Sequence, residues 1–251
     1  MTLPADFLRL PIAHRALHGP GAPENSRAAV RAAVRAGYGI EIDVQLSADG
    51  AAMVFHDYAL ERLCGVPGTV RTKSAAELSA IPLLGGEEGI PTLAEVLSLV
   101  SGQVPLLVEL KDQDGAMGAE VGPLERAVAE ALTGYDGPVA VMSFNPHSVG
   151  LMAELAPEVP RGLTTSGFDP DFWPMGDATC ARLRDIPDYD TVGACFISHE
   201  VADLGRERVS ALKAHGAAVL CWTVRSRAVE AKARRIAQNI TFEGYAPVIP
   251  G

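Results

Sequence analysis

A chain of 251 residues with 48% hydrophobic content and a mean hydropathy of +0.15 is long enough to bury one large core, which excludes a disordered or fibrous class. Its 21 Lys and Arg against 31 Asp and Glu give a net charge of −10, leaving no general basic field for nucleic acid or an anionic membrane. Any anionic ligand must be held locally.

Met1-Thr-Leu-Pro-Ala-Asp6 lacks the basic and apolar regions of a signal peptide, and no apolar run approaches the roughly 20 residues of a membrane span. Cys64, Cys180, Cys195 and Cys221 are scattered without a Cys-x-x-Cys pair or zinc spacing, as expected for buried thiols in a reducing compartment. The expectation is a soluble cytoplasmic protein without an integral membrane segment, in which the sequon Asn239-Ile-Thr241 has no meaning. Oligomeric state is not legible.

In chain order, Leu8 to Ala13 is an apolar run predicted as a buried strand that ends at His14-Arg15. The turn-rich loop His18-Gly-Pro-Gly-Ala-Pro-Glu-Asn-Ser26 matches neither the dinucleotide nor the P-loop spacing and reads as a connection. It leads into a helix over Arg27 to Ala36, stopped by Gly37. Ile40, Ile42, Val44 and Leu46 then alternate with Glu41, Asp43 and Gln45, a strand whose second face carries carboxylates. Ser47 to Gly50 is turn chemistry and Met53 to His56 a second strand, too close for a parallel crossover, so the two form an antiparallel hairpin. Pairing Leu46 with Ala51 places Asp43 opposite Val54 and Glu41 opposite His56.

From about 57 to 91 the chain turns glycine-rich around a short helix near Ser74 to Ala80, a small insertion on the hairpin. Thr92-Leu-Ala-Glu95 is a capping box, and Pro105 to Lys111 a strand with Glu109 and Lys111 on one side. Helices follow at Leu124 to Leu132, Pro146 to Leu155, Leu204 to His215 and Ala228 to Ala237. Strands fall at Val139 to Phe144, Arg161 to Ser166, Ala194 to Ser198, Ala218 to Val224 and Ile240 to Glu243, with an irregular stretch containing Phe168, Phe172 and Trp173. Parallel strands near residues 12, 40, 106, 139, 162, 195, 219 and 240 make an α/β (β/α)8 TIM barrel, one domain over 1–251, with a doubly wound open sheet as the competing topology.

Active sites of such barrels lie at the C-terminal ends of the strands, where His14, Arg15, Glu41, Asp43, Glu109, Lys111 and Trp222 fall, with His56 brought in by the hairpin. The carboxylates Glu41, Asp43 and Glu109 supply hard oxygen ligands suited to a divalent cation, Mg²⁺ or Ca²⁺; equally, they could be salt-bridge partners of Arg15 and Lys111. His14 and His56 are candidates for general base and general acid. His147 and His215 read as structural, and His18 and His199 sit near strand ends with a weaker claim to function. Cation, two histidines and two basic groups suit attack on a phosphodiester, with charge neutralised on the non-bridging oxygens and the alkoxide protonated as it departs.

His14-Arg15, Pro23-Glu-Asn25, Glu41-x-Asp43, Asp49-Gly50, His56-Asp57, Pro91-Thr-Leu93, Glu109-x-Lys111 and Trp222-Thr-Val224 together resemble the signature of the glycerophosphodiester phosphodiesterases, in order and over nearly the whole chain. The resemblance implies a barrel with a small inserted segment, one divalent cation, and hydrolysis of a small-molecule glycerophosphodiester to glycerol 3-phosphate and an alcohol. By position it implies His14 and His56 as the acid–base pair, Glu41, Asp43 and Glu109 as metal ligands, and Arg15 and Lys111 on the phosphate, with Trp222 also contacting substrate. The chain departs from the pattern at Ala16, where the family usually has Gly, in the loop His18-Gly-Pro-Gly21, and at Phe242-Glu-Gly244, where Thr-Asp is commoner. None of these removes an acid, a base or a ligand. The alternatives are a lysophospholipid substrate, for which Phe168, Phe172 and Trp173 would supply an apolar groove, and a non-catalytic phosphodiester-binding barrel.

Overall fold

The structure is a computed structural model that describes residues 1–250. Its strands are β1 (Ile12–Ala13), β2 (Gly39–Leu46), β3 (Ala52–Val54), β4 (Leu106–Leu110), β5 (Val139–Ser143), β6 (Arg161–Thr165), β7 (Phe196–Glu200), β8 (Ala218–Val224) and β9 (Asn239–Phe242). All but β3 run parallel, in the order β1-β2-β4-β5-β6-β7-β8-β9, and β1 pairs with both β2 and β9. That double pairing closes the barrel and excludes the open sheet. The helices are α1 (Asp6–Arg9), α2 (Arg27–Ala36), α3 (Glu61–Cys64), α4 (Ala75–Ala80), α5 (Leu93–Val100), α6 (Pro123–Leu132), α7 (Pro146–Leu155), α8 (Asp177–Arg184), α9 (Glu207–Ala214) and α10 (Arg227–Ala233). None is long and apolar enough to cross a membrane.

Two apolar layers hold the barrel. Outside the sheet, Ile40, Ile42 and Val44 of β2 pack with Val30 and Ala33 of α2 and with Val96 and Leu97 of α5. Ser26 caps α2 by accepting from the Ala29 N–H, and Gly37, at φ 75°, ends it in the left-handed region. Ile12, Leu107, Ala140, Phe196 and Leu220 cluster with Leu3 and with Phe7 of α1, which closes the barrel's N-terminal end. Gly162 leaves the space the Phe196 ring fills, since a Cβ there would come within 2.5 Å of it. Interior positions of β2 and β4 further along carry Glu41, Asp43 and Glu109 instead.

The hairpin departs from the expected register by one residue. Leu46 pairs with Ala52 and Val44 with Val54, because Ser47 exchanges bonds with Ala51: the Ser47 N–H donates to the Ala51 carbonyl at 2.9 Å, and the Ser47 hydroxyl accepts from the Ala51 N–H at 2.8 Å. A three-residue loop with Gly50 at φ 83° results. A one-residue slip would turn His56 away from Glu41 if the strand continued. It does not continue: β3 stops at Val54, Phe55 plunges into a separate apolar cluster with Leu60, Leu78 and Leu83, and His56 leaves the ladder.

Two further differences from expectation have a clear physical cause. The strand expected from Leu8 is the end of α1 followed by a two-residue β1, because Phe7 turns inward to seal the barrel. The irregular stretch after Ser166 contains α8, which buries only Cys180 and Leu183 and so has almost no apolar period to read. All four cysteines are free thiols; Cys64, Cys180 and Cys221 are buried and Cys195 is half-buried.

Candidate active site

His14, Arg15, Glu41, Asp43, His56, Glu109, Lys111 and Trp222 all line one cavity of about 900 Å³ at the C-terminal ends of the strands. The stretch after β1 is built as a hook. The His14 N–H donates to Phe242 O at 2.9 Å, the Ala16 N–H to Glu41 O at 2.8 Å, and the Arg15 N–H to Glu41 Oε2 at 2.7 Å. Asn25 staples it from the far side of the loop: its N–H donates to Arg15 O at 2.8 Å, while its side-chain amide donates to Asp43 Oδ2 at 2.9 Å and accepts from the Asp43 N–H at 3.2 Å.

Glu41, Asp43 and Glu109 are buried, and one oxygen from each lies within 4.8 Å of the others. Lys111 Nζ donates to Glu109 Oε1 at 2.8 Å and lies 3.3 Å from Asp43 Oδ1; Arg15 Nε is 3.7 Å from Asp43 Oδ2. The salt-bridge reading of these carboxylates is therefore realised, yet it does not exhaust them. Burial and the charges of Asp43 and Glu109 push the Glu41 carboxyl well above the ordinary carboxylate range, against the opposing Arg15 N–H and charge. Burial would raise Asp43 as well, but Lys111, His56, Arg15 and the Asn25 amide together hold it well below that range. Lys111 is raised: burial opposes its charge, and Glu109 and Asp43 outweigh burial. A site with surplus carboxylate, all hard oxygen donors, fits a divalent cation. Arg15 Nε is buried against Asp43 without a hydrogen-bond partner, while the residue itself lines the cavity.

Each histidine is held by a carboxylate at Nδ1. His14 Nδ1 lies 2.7 Å from Glu243 Oε2, and His56 Nδ1 lies 2.6 Å from Asp57 Oδ1. The hydrogen bond from His14, against some burial, together with Arg225 lowers Glu243 to about 2. Burial would raise Asp57, but His56 and Arg62 outweigh it and hold it well below its usual range. Both carboxylates are acceptors, so Nδ1 carries the proton and Nε2 is the nitrogen left without it on each neutral ring. Trp222 donates from Nε1 to Ser198 O at 3.0 Å and meets the Phe144 ring edge-on at 5.6 Å, part of an aromatic wall with Trp173.

His18 and His199 do not line the cavity. His199 is fully buried between Thr165 and Asp203, a satisfied structural residue; His18 Nε2 lies 3.9 Å from Glu243 Oε2. Reading the sequence by residue type overlooked Glu243, Glu24, Asn25 and Arg62. Glu243 was visible as a departure at the end of β9, and Glu24 and Asn25 lie within a quoted motif, but their partners are set by the fold.

Residues 14–240 match the profile of the glycerophosphoryl diester phosphodiesterase family. The chain is 29% identical to the Bacillus subtilis protein YhdW over 231 residues, 88% of each chain. It is 34% identical over 164 residues to the glycerophosphodiester phosphodiesterase of Caldanaerobacter subterraneus subsp. tengcongensis, covering 61% of this chain and 65% of that one. It also superposes on an Oleispira antarctica phosphodiesterase solved in complex with the product sn-glycerol-3-phosphate, with a TM-score of 0.76, 28% identity and 93% of both chains covered. Closed barrel, carboxylate trio and a match from His14 almost to the end of the last strand agree: the chain belongs to the glycerophosphoryl diester phosphodiesterase family, whose members are phosphoric diester hydrolases.

Proposed function

We propose that the protein hydrolyses glycerophosphodiesters to glycerol 3-phosphate and an alcohol, using Glu41, Asp43 and Glu109 to hold one divalent cation, Mg²⁺ or Ca²⁺, and His14 and His56 as the acid–base pair. The observation that carries this reading is the convergence of the buried trio and two carboxylate-held histidines on one cavity. The product bound in the Oleispira antarctica relative supports the substrate class. On this reading residues 1–251 form one phosphodiesterase domain, with 57–91 as a small insertion on the hairpin.

When bound, the cation would neutralise charge on the non-bridging phosphate oxygens. Arg15, which lines the cavity, binds the same phosphate through its guanidinium, and Lys111, anchored on Glu109, adds a second positive charge beside it. One histidine accepts the proton of the attacking hydroxyl at Nε2. The other donates a proton from Nε2 to the departing alkoxide, a group too basic to leave unaided. Attack by the glycerol hydroxyl of the substrate would give a cyclic phosphate, opened by water with the two histidines exchanging roles. Trp222 closes one wall against the glycerol moiety.

The test is release of glycerol 3-phosphate from a panel of glycerophosphodiesters, with EDTA and with single cations restored. Release that EDTA abolishes and one cation restores is expected, with His14→Ala and His56→Ala each slower by at least about 100-fold. Chelator-insensitive release would remove the cation from the mechanism. A second reading, a lysophospholipid substrate, is favoured by one observation: Phe172, 85% exposed, stands with Trp173, Met175 and Phe144 along the same cavity. Lysophospholipids therefore belong in the panel.

A further inference from the structure

Arg15 and His56 come from different parts of the chain, the hook after β1 and the end of the hairpin, yet the reaction needs both fixed about one phosphate. A continuous run of charge-assisted hydrogen bonds joins them. Arg15 Nη1 donates to Glu24 Oε1 at 2.7 Å. Arg62 Nη1 and Nη2 donate to Glu24 Oε2 and Oε1 at 2.9 and 2.8 Å. The same guanidinium turns its other edge to Asp57, with Nε on Oδ2 at 2.6 Å and Nη2 on Oδ1 at 2.8 Å. Asp57 Oδ1 in turn accepts from His56 Nδ1 at 2.6 Å.

We propose that Arg62 is a positioning residue that locks the phosphate-holding Arg15 to His56 through Glu24 and Asp57, an inference that rests on the reaction proposed above. Its place is set from below: Leu60 and Leu63 anchor α3 in the apolar cluster of the 57–91 segment, and the half-exposed Arg62 reaches from it to Glu24 and Asp57. Among the described residues, Glu24 receives side-chain hydrogen bonds only from Arg15 and Arg62, and Asp57 only from His56 and Arg62. No other side chain among the described residues bridges the two carboxylates. The geometry demands a planar fork with donors on two edges; a lysine offers one point charge and cannot satisfy both. The 57–91 segment thereby acquires a role in the chemistry although it supplies no acid, base or ligand.

The test compares wild type, Arg62→Ala and Arg62→Lys. Loss of the bridge frees Arg15 and His56 together, so kcat should fall and KM rise, for a loss of about 10- to 100-fold in kcat/KM, typical of small misplacements at a reacting centre. Millimolar guanidinium should restore part of the Arg62→Ala loss and methylammonium none, because Arg62 is open to solvent and only a fork refills the gap. Arg62→Lys should remain close to Arg62→Ala. An unchanged KM, full activity in Arg62→Lys, or a loss that guanidinium does not relieve would each overturn the coupling. A second readout is independent of turnover: in histidine-labelled protein, the hydrogen-bonded Nδ1 proton of His56 should broaden in Arg62→Ala and sharpen again with guanidinium. An unaltered signal overturns the inference. Inactive wild type together with that altered signal would refute the reaction and leave the coupling standing.

Discussion

Ala16 sits at φ 64°, in the left-handed region that favours glycine, beside Arg15 at φ 52°. The strain is retained because Ala16 N–H and Arg15 N–H both end on Glu41, one on its carbonyl and one on its carboxylate. Ala16→Gly should therefore stabilise the fold. About 1–2 kcal/mol of local strain is relieved, and about 0.4–1 kcal/mol is given back through the freer unfolded chain. The expected net is a gain of up to about 1.6 kcal/mol, read as a higher urea midpoint at unchanged slope; a lower midpoint would contradict the strain. Glu41 supplies a pH prediction. Its folded pKa is raised above 4.5, so its protonated form contributes stability that is full below pH 4.5 and is lost as pH rises through the raised value. A cation requires the ionised carboxylate, so at any pH below the raised value binding should expel a proton and tighten as pH rises. Calorimetry in buffers of different ionisation enthalpy measures that proton, and Glu41→Gln should abolish its release. At this scale the sequence revealed the charged cast, because Glu and Asp at alternate positions of an apolar strand are conspicuous. The partners Glu243 and Arg62 were hidden, Glu243 because it reaches His14 from the far end of the chain and Arg62 because it acts through Asp57 and Glu24.

The hairpin shows where elements were legible and where they were not. Alternating apolar and acidic residues marked β2, and Ser26 with Gly37 and Thr92 with Glu95 marked α2 and α5. Register was not legible, because a single exchange of bonds between Ser47 and Ala51 decides it. The delivery of His56 depends instead on the point where β3 stops and Phe55 turns into the cluster beneath the 57–91 segment. Phe55→Ala should cost about 3–5 kcal/mol through the cavity it leaves, read by urea unfolding. Activity of the still-folded fraction should fall too, because its immediate neighbour His56 loses its anchor; full activity per folded molecule would show that Asp57 alone suffices. The helix α8 escaped for the converse reason, an element with so few buried side chains that it leaves no periodic trace.

At the scale of the molecule, counting parallel strands was enough to suggest a barrel, but closure rests on β1, two residues long, pairing on both edges. No periodicity can announce so short a strand. The barrel then divides its interior, with branched and aromatic residues around Phe7 at one end and ionisable groups at the other. Phe7 has a kinetic corollary. A sealed floor leaves the mouth as the route for everything that enters or departs. On the proposed reaction, the alcohol faces that opening and the phosphate is gripped deeper, by Arg15 and Lys111. Departure is then a queue: the alcohol goes first, glycerol 3-phosphate last, and an accumulating product becomes a rival for the seat the next substrate needs.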